Sequence, residues 1–333
     1  MTARVTYLFL TPGIGVFTCA FLWSLTIGST EISFGRVFET LTAGASDRES
    51  IVLQEVRLPR VLAASLAGSA LAIAGAIAQT VTRNPLADPG LLGVNSGAAF
   101  AVVFAMSWFG VSRVTSLVWI AYLGAFAALA FVLLFGLMGR RSSLVRLILA
   151  GVVIASFLSA LTAMILVLDL QTFDAVRQWT VGSVKGRTLE DVVRLAPYIL
   201  IPLIATFFLP RALDVMNLGS EIATGLGQSQ RTWRVITTLG VTVLAGGATA
   251  LGGPLSFVGL VVPHMVRMLH GPGHGALLPL CAIVGATLTL LADTLPRAVW
   301  QTDVPVGISL ALLGSPFFIW LALLKSPAAE SAT

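Results

Sequence analysis

Charge is what this sequence has least of. Charged residues make up 11% of its 333 positions, against about 25% in soluble globular domains. Hydrophobic residues make up 56%, and the mean hydropathy is +0.93. Together these exclude a soluble fold and point to an integral membrane protein. Cysteine is nearly absent: Cys19 and Cys281 sit far apart in apolar runs, where they read as small buried hydrophobes and not as a disulfide. The net charge is only +5 with no polybasic run, which leaves no electrostatic footprint for nucleic acid. There is no G-x-x-x-x-G-K-[ST] phosphate loop. "GSVKGRT" at 182–188 has the wrong spacing and no strand before it, so any ATP hydrolysis belongs to another chain. Apart from Asp293, at the edge of one, the apolar runs hold no carboxylate. That counts against a proton-coupled carrier, which needs carboxylate relays within the membrane, and against an intramembrane enzyme. No metal site is expected, because Gly271-Pro272-Gly273 interrupts the spacing of His270 and His274. His264, beside Pro263, reads as a packing residue.

What is present is a series of apolar runs, charge-free except for Arg267 near the end of one. They cover 5–27, 61–81, 92–110, 114–138, 147–168, 195–210, 235–251, 255–269, 276–292 and 304–324. A helical span takes about 20 apolar residues, so an all-α membrane fold of about ten spans is expected, in one domain covering 1–333. The first run is too long for a signal-peptide core and reads as a span. The charge-free stretch from 235 to 266 is split at Gly252-Gly253-Pro254 into a full span and a short one. In the second run, Ala64, Gly68, Ala72 and Ala76 place a small residue at every fourth position, the pattern of close helix contact in membranes. With the N-terminus inside, Lys and Arg tie at about ten on each side, where an inner excess is the rule. The outer cations have been kept against that rule.

Three features carry specific chemistry. "RNPLADPGLLGVNSGA", from Arg83 to Ala98, breaks the helix twice with prolines, and broken backbone at membrane depth belongs where it lines a cavity or is buried in protein. Arg57 and Arg60 flank Pro59 at the mouth of the second run. Their spacing of three puts both on one helical face, and Pro59 suits a helix start. Anchoring to lipid headgroups is the competing reading of this pair. Asp293 and Arg297 stand at i, i+4 in "LLADTLPR", the spacing of an intrahelical ion pair.

RLPR, "RNPLADPGLLGVNSGA", "GGPLSFVGLVVPHMVR", "LLADTLPR" and "VPVGISLALLGSPFFIW" together resemble the FecCD-type permease subunits of type II ABC importers. The resemblance covers about 50–325 and implies that fold, with two permease subunits, identical or not, around a central pathway. It further implies two cytoplasmic ATPase subunits holding ATP and Mg, a periplasmic substrate-binding protein, and a multi-pass place among the lipids of a bacterial inner membrane. This chain would itself hold no cofactor and catalyse nothing. A ferric siderophore is the implied cargo, with haem or cobalamin as alternatives; a stand-alone secondary transporter is the rival from another class. By the same resemblance, Arg57, Arg60 and Arg297 form a basic socket for the binding protein, although Pro296, just before Arg297, departs from the pattern. "MNLGSEIATGLGQSQRTWR" lies in a cytoplasmic loop at about 212–234 that docks the ATPase through Leu218, Gly219, Ser220, Glu221, Ala223, Leu226 and Gly227. Asn84, Leu86, Ser142 and Ser143 are similar to residues that narrow the pathway.

Overall fold

The computed structural model describes residues 2–28, 30–43, 47–137, 144–271 and 273–324. Among them the chain is helical throughout, with no strand. The order begins with α1 (Thr2–Thr26), α2 (Phe34–Ala43) and α3 (Arg48–Ile51). A π-helical turn at Val52–Arg57 then joins α3 to α4 (Leu58–Thr82). Next come α5 (Val94–Phe109), α6 (Val114–Leu137), α7 (Leu144–Leu168) and the short α8 (Leu170–Thr180). The rest are α9 (Leu189–Thr206), α10 (Pro210–Asn217), α11 (Ser220–Gly225), α12 (Gln230–Gly252), α13 (Val258–His270), α14 (His274–Trp300) and α15 (Val306–Leu324).

Each of the ten apolar runs falls on one of these helices. Among the described residues, six helices are long and apolar enough to cross a membrane alone, and α9 with α10, bent by 60°, makes a seventh. The remaining three are α5, α13 and α15, whose apolar stretches are shorter than a full crossing. The break at Gly252-Gly253-Pro254 lies where expected: α12 ends at Gly252, and Gly253 takes a left-handed φ of 73° that glycine alone adopts freely.

α4 is the axis of the bundle. Its side chains are buried along nearly the whole helix, and it packs against α9, α12, α13 and α14. Gly68 faces Gly285 of α14, and Gly75 faces Gly259 of α13; a Cβ at either place would fall inside the neighbouring backbone. Gly97 of α5 and Gly124 of α6 meet in the same way. Of the expected small-residue stripe, Gly68 thus makes backbone contact, and Ala72 also lies against Gly285. Gly75, outside the stripe, makes the closer backbone contact. Within the Arg83–Ala98 segment the second break is buried in protein, with Asp88 and Pro89 against Gly259, whereas Pro85 and Leu86 at the first break are exposed. Neither cysteine is in a disulfide; Cys281 is buried, but Cys19 is exposed. That corrects its reading as a buried residue, since an apolar side chain facing lipid costs nothing.

Candidate functional site

Arg57, Arg60 and Arg297 come together at one end of the bundle, where α1, α4 and α14 meet. All three are buried, at 4%, 7% and 8% exposure. Arg57 caps the carboxyl end of α1. Its Nη1 donates to the carbonyls of Leu25 and Thr26, each at 2.7 Å, and its Nη2 to that of Thr30. A cation there also meets the negative end of the helix dipole. Arg60 grips Asp293 with a two-pronged fork, Nε to Oδ2 and Nη2 to Oδ1, both at 2.9 Å. Its Nη1 reaches Asp303 at 2.8 Å. Arg297 donates to Asp293 at 2.9 Å, to the Ile27 carbonyl at 3.0 Å and to Ser24 Oγ at 3.2 Å. Pro296 does not divert it, because α14 continues through that residue to Trp300.

Two members of this cluster are not visible in the motifs. Asp303, between α14 and α15, accepts from Arg60 and pairs with Lys185 at 2.7 Å. Four cations therefore surround two carboxylates, and Arg57 has carbonyls but no carboxylate as partners. A cavity of about 140 Å³ opens beside the three arginines, lined also by Gly28, Val56 and Gln301. The arrangement is a net-positive hollow whose guanidiniums are held in place from within.

The opposite end carries the loop region. Leu213 and Met216 of α10 are buried, as is Ala223 of α11. Leu218, Ile222 and Leu226 are more than half exposed; Ile222 and Leu226 stand one α11 turn apart, and Leu218 caps the end of α10 just before Gly219. Glu221 is exposed beside them. Gly219 and Gly227 take φ of 119° and 80°, so each turn needs a residue without Cβ; Ser220 opens α11. Ile222 is an addition to the expected set, and its signal is the i, i+4 spacing with Leu226.

This loop is tied to the bundle through polar groups, exposed on its own side at Asp214 and buried on the bundle side at His274 and Thr80. Asp214 of α10 holds His274 at both Nδ1, 2.6 Å, and the backbone N–H, 3.1 Å. The other ring nitrogen meets Thr80 Oγ1 of α4 at 2.7 Å. Arg83 Nη2 donates to the Met216 carbonyl at 3.2 Å. At the expected narrowing, Asn84 Oδ1 accepts from the Leu86 N–H at 2.9 Å, and the Leu86 side chain is exposed. Ser142 and Ser143 lie outside the described residues. No cluster of metal-ligating side chains occurs among the described residues. His264 is buried, with its ring edge towards Phe317.

Comparison with known proteins agrees with this architecture. The FecCD transport family matches residues 16–324. The ferric enterobactin transport system permease protein FepD of Escherichia coli is 40% identical over 304 residues, covering 91% of each chain. The probable siderophore transport system permease protein YfiZ of Bacillus subtilis is 36% identical over 301 residues, 90% of each. Among solved structures, an inward-facing metal-chelate type ABC transporter superposes with a TM-score of 0.84 at 30% identity, covering 94% of this chain and 98% of that one. A bundle of apolar helices around α4 and a match along almost its whole length lead to one conclusion: this multi-pass membrane protein belongs to the FecCD transport family.

Proposed function

We propose that this chain is the membrane-spanning permease subunit of an ATP-driven importer of ferric siderophores. The observation that carries the reading is the exposure of Leu218, Ile222 and Leu226 on a chain with no phosphate loop of its own. Apolar side chains exposed on a loop outside the bundle call for a partner to cover them. Two cytoplasmic ATPase subunits, holding ATP and Mg, fill that role. A second permease subunit completes the pathway. The names of the relatives, siderophore, enterobactin and Fe(3+)-citrate permeases, favour an iron chelate over haem or cobalamin.

In this arrangement the arginine end faces the periplasm and the loop end the cytoplasm of a bacterial inner membrane. Closure of the ATPases displaces α10 and α11. The Asp214–His274–Thr80 link passes that displacement to α14 and α4, and the pathway changes its exposure by rigid-body movement. Asn84 and Leu86, with Ser142 and Ser143, narrow the cytoplasmic side. Ile222→Asp and Glu221→Arg are each expected to abolish co-purification of the ATPase and uptake of a ferric siderophore, while insertion into the membrane is unchanged. Full uptake by either variant after loss of the ATPase would sink the reading.

The basic hollow is the proposed seat for an acidic side chain of a periplasmic binding protein. Arg57 is the residue with which to test it, because Arg60 and Arg297 are engaged with Asp293. Arg57→Gln retains donors for the α1 carbonyls and loses the charge. A rim charge contributes roughly 0.2–1 kcal/mol, and more when docking strips its water. Binding-protein affinity should therefore fall severalfold, most at low salt. Unchanged affinity at low salt assigns Arg57 to capping α1 alone.

A further inference from the structure

A second basic cavity lies at the arginine end, beside the Asp293 cluster, with which it shares Lys185. It has a volume of about 350 Å³ and sits between α8, the α5–α6 turn and the 181–188 loop. Part of its lining is polar: Arg187, Lys185, Ser112, Ser183 and Gln178. The rest is apolar, with Val102, Met106 and Val118. No carboxylate lines it. Lys185 already pairs with Asp303, but Arg187 Nε is fully buried and has no hydrogen-bond partner among the described residues. The carboxylate that acts on Arg187 electrostatically is Asp191, and one of its oxygens is occupied by the N–H and Oγ1 of Thr188. Buried donors are nearly always paired, and one left unpaired forfeits its hydration with nothing in return, most of all when it is charged. An enclosed guanidinium donor beside an ammonium, with no acid in the wall, is built for an incoming anion.

The shape of the cavity selects among anions. A free ion has no use for the apolar lining. The next residue along the α5–α6 turn from Ser112 is Val111, and Val111 lines a separate apolar groove of about 660 Å³ between α5, α6 and α7. That groove presents Phe104, Phe131 and Phe157, surfaces suited to a hydrocarbon chain. Basic cavity and apolar groove thus adjoin across one turn at the end of the bundle, where headgroups lie.

We infer that this cavity is a binding site for an anionic phospholipid, its phosphate on Arg187 and Lys185 and its chain along the α5–α7 groove. Arginine's planar fork suits a phosphate. The absence of an acid in the wall disfavours a zwitterionic headgroup, whose ammonium would find no partner. The site accounts for two outer cations that the positive-inside rule leaves unexplained.

The test uses the protein purified with whatever subunits it carries, in nanodiscs of equal parts phosphatidylglycerol and phosphatidylethanolamine. Native mass spectrometry after release of bulk lipid counts what stays bound. The wild type should retain phosphatidylglycerol selectively. Arg187→Gln should lower that retention about tenfold, equivalent to about 1.4 kcal/mol, and Arg187→Lys should recover part of it. Lys185→Gln, at a half-exposed side chain, decides the matter should Arg187→Gln not fold, with a severalfold loss expected. Equal retention by a folded variant overturns the proposal. So does displacement of phosphatidylglycerol by inorganic phosphate, which would make this a site for the free ion. Loss of binding-protein affinity with lipid retention intact would reassign Arg187 to a protein carboxylate.

Discussion

Gly75→Ala is expected to destroy most of the folded protein, although it adds a single methyl group. The methyl would collide with the carbonyl, carbon and Cα of Gly259. These are backbone atoms and cannot rotate aside, so α4 and α13 must separate. Overpacking a core costs about 1–3 kcal/mol when side chains can adjust, and here none can. Helices in a membrane associate by close packing without a hydrophobic drive between them, so separation forfeits the contact that holds them. Gly15→Ala is the control, because nothing lies within 4 Å of a Cβ there. Alanine should be neutral or favourable at that helical position, by up to roughly 1 kcal/mol. The comparison is of monodisperse yield from size-exclusion chromatography and of melting temperature in detergent. Equal melting of Gly75→Ala and wild type would show that the α4–α13 contact is looser than described.

Asp293→Asn should be nearly as damaging, for an electrostatic reason. Asp293 is 1% exposed and answers two buried guanidiniums, those of Arg60 and Arg297. Removing one partner of a buried ion pair costs about 3–5 kcal/mol, because the remaining charge stays without compensation. Here Arg297 loses its ion-pair partner, and Arg60 keeps only Asp303, which it shares with Lys185. Replacing all three residues together, Arg60→Met, Asp293→Leu and Arg297→Met, removes the uncompensated charge and should restore much of the folded yield. A single variant as stable as wild type would mean that Asp303 alone neutralises the cluster. The triple variant also separates stability from recognition, because it folds while losing most of the positive hollow.

The spans were legible because charge is excluded from them, and the Asp293–Arg297 pair because i, i+4 spacing on a helix determines it. The break at Gly252-Gly253-Pro254 was legible from backbone chemistry alone. The partners across the bundle were not. Asp303 and Lys185 join the arginine cluster from loops far along the chain, and Thr80, Asp214 and His274 come from three separate helices. Nor could composition tell which apolar face is buried. In water, polarity marks the outside of a helix; in lipid, both faces of a helix such as α6 or α7 are apolar. Cys19 faces outward and Cys281 inward from runs of similar character. Arg187 gave no sign of itself because an unpaired donor is a property of its surroundings, not of local sequence.

The arginine cluster has a consequence for how the protein is made. Arg60 and its partner Asp293 are 233 residues apart, and α4 leaves the ribosome long before α14 exists. At about 5–20 residues per second, the interval is roughly 10–50 s. For that time Arg57 can already cap α1, whose carbonyls were synthesised first, but Arg60 has no acid to meet. An arginine at the centre of a span costs roughly 2.5–3.5 kcal/mol on insertion scales. One at the end can hold its guanidinium among headgroups and water until it is needed. The location of Arg60 in the first turn of α4 therefore lets the nascent helix insert early and wait. When α14 arrives, Asp293 draws the waiting side chain inward, and the first third of the chain is locked to the last.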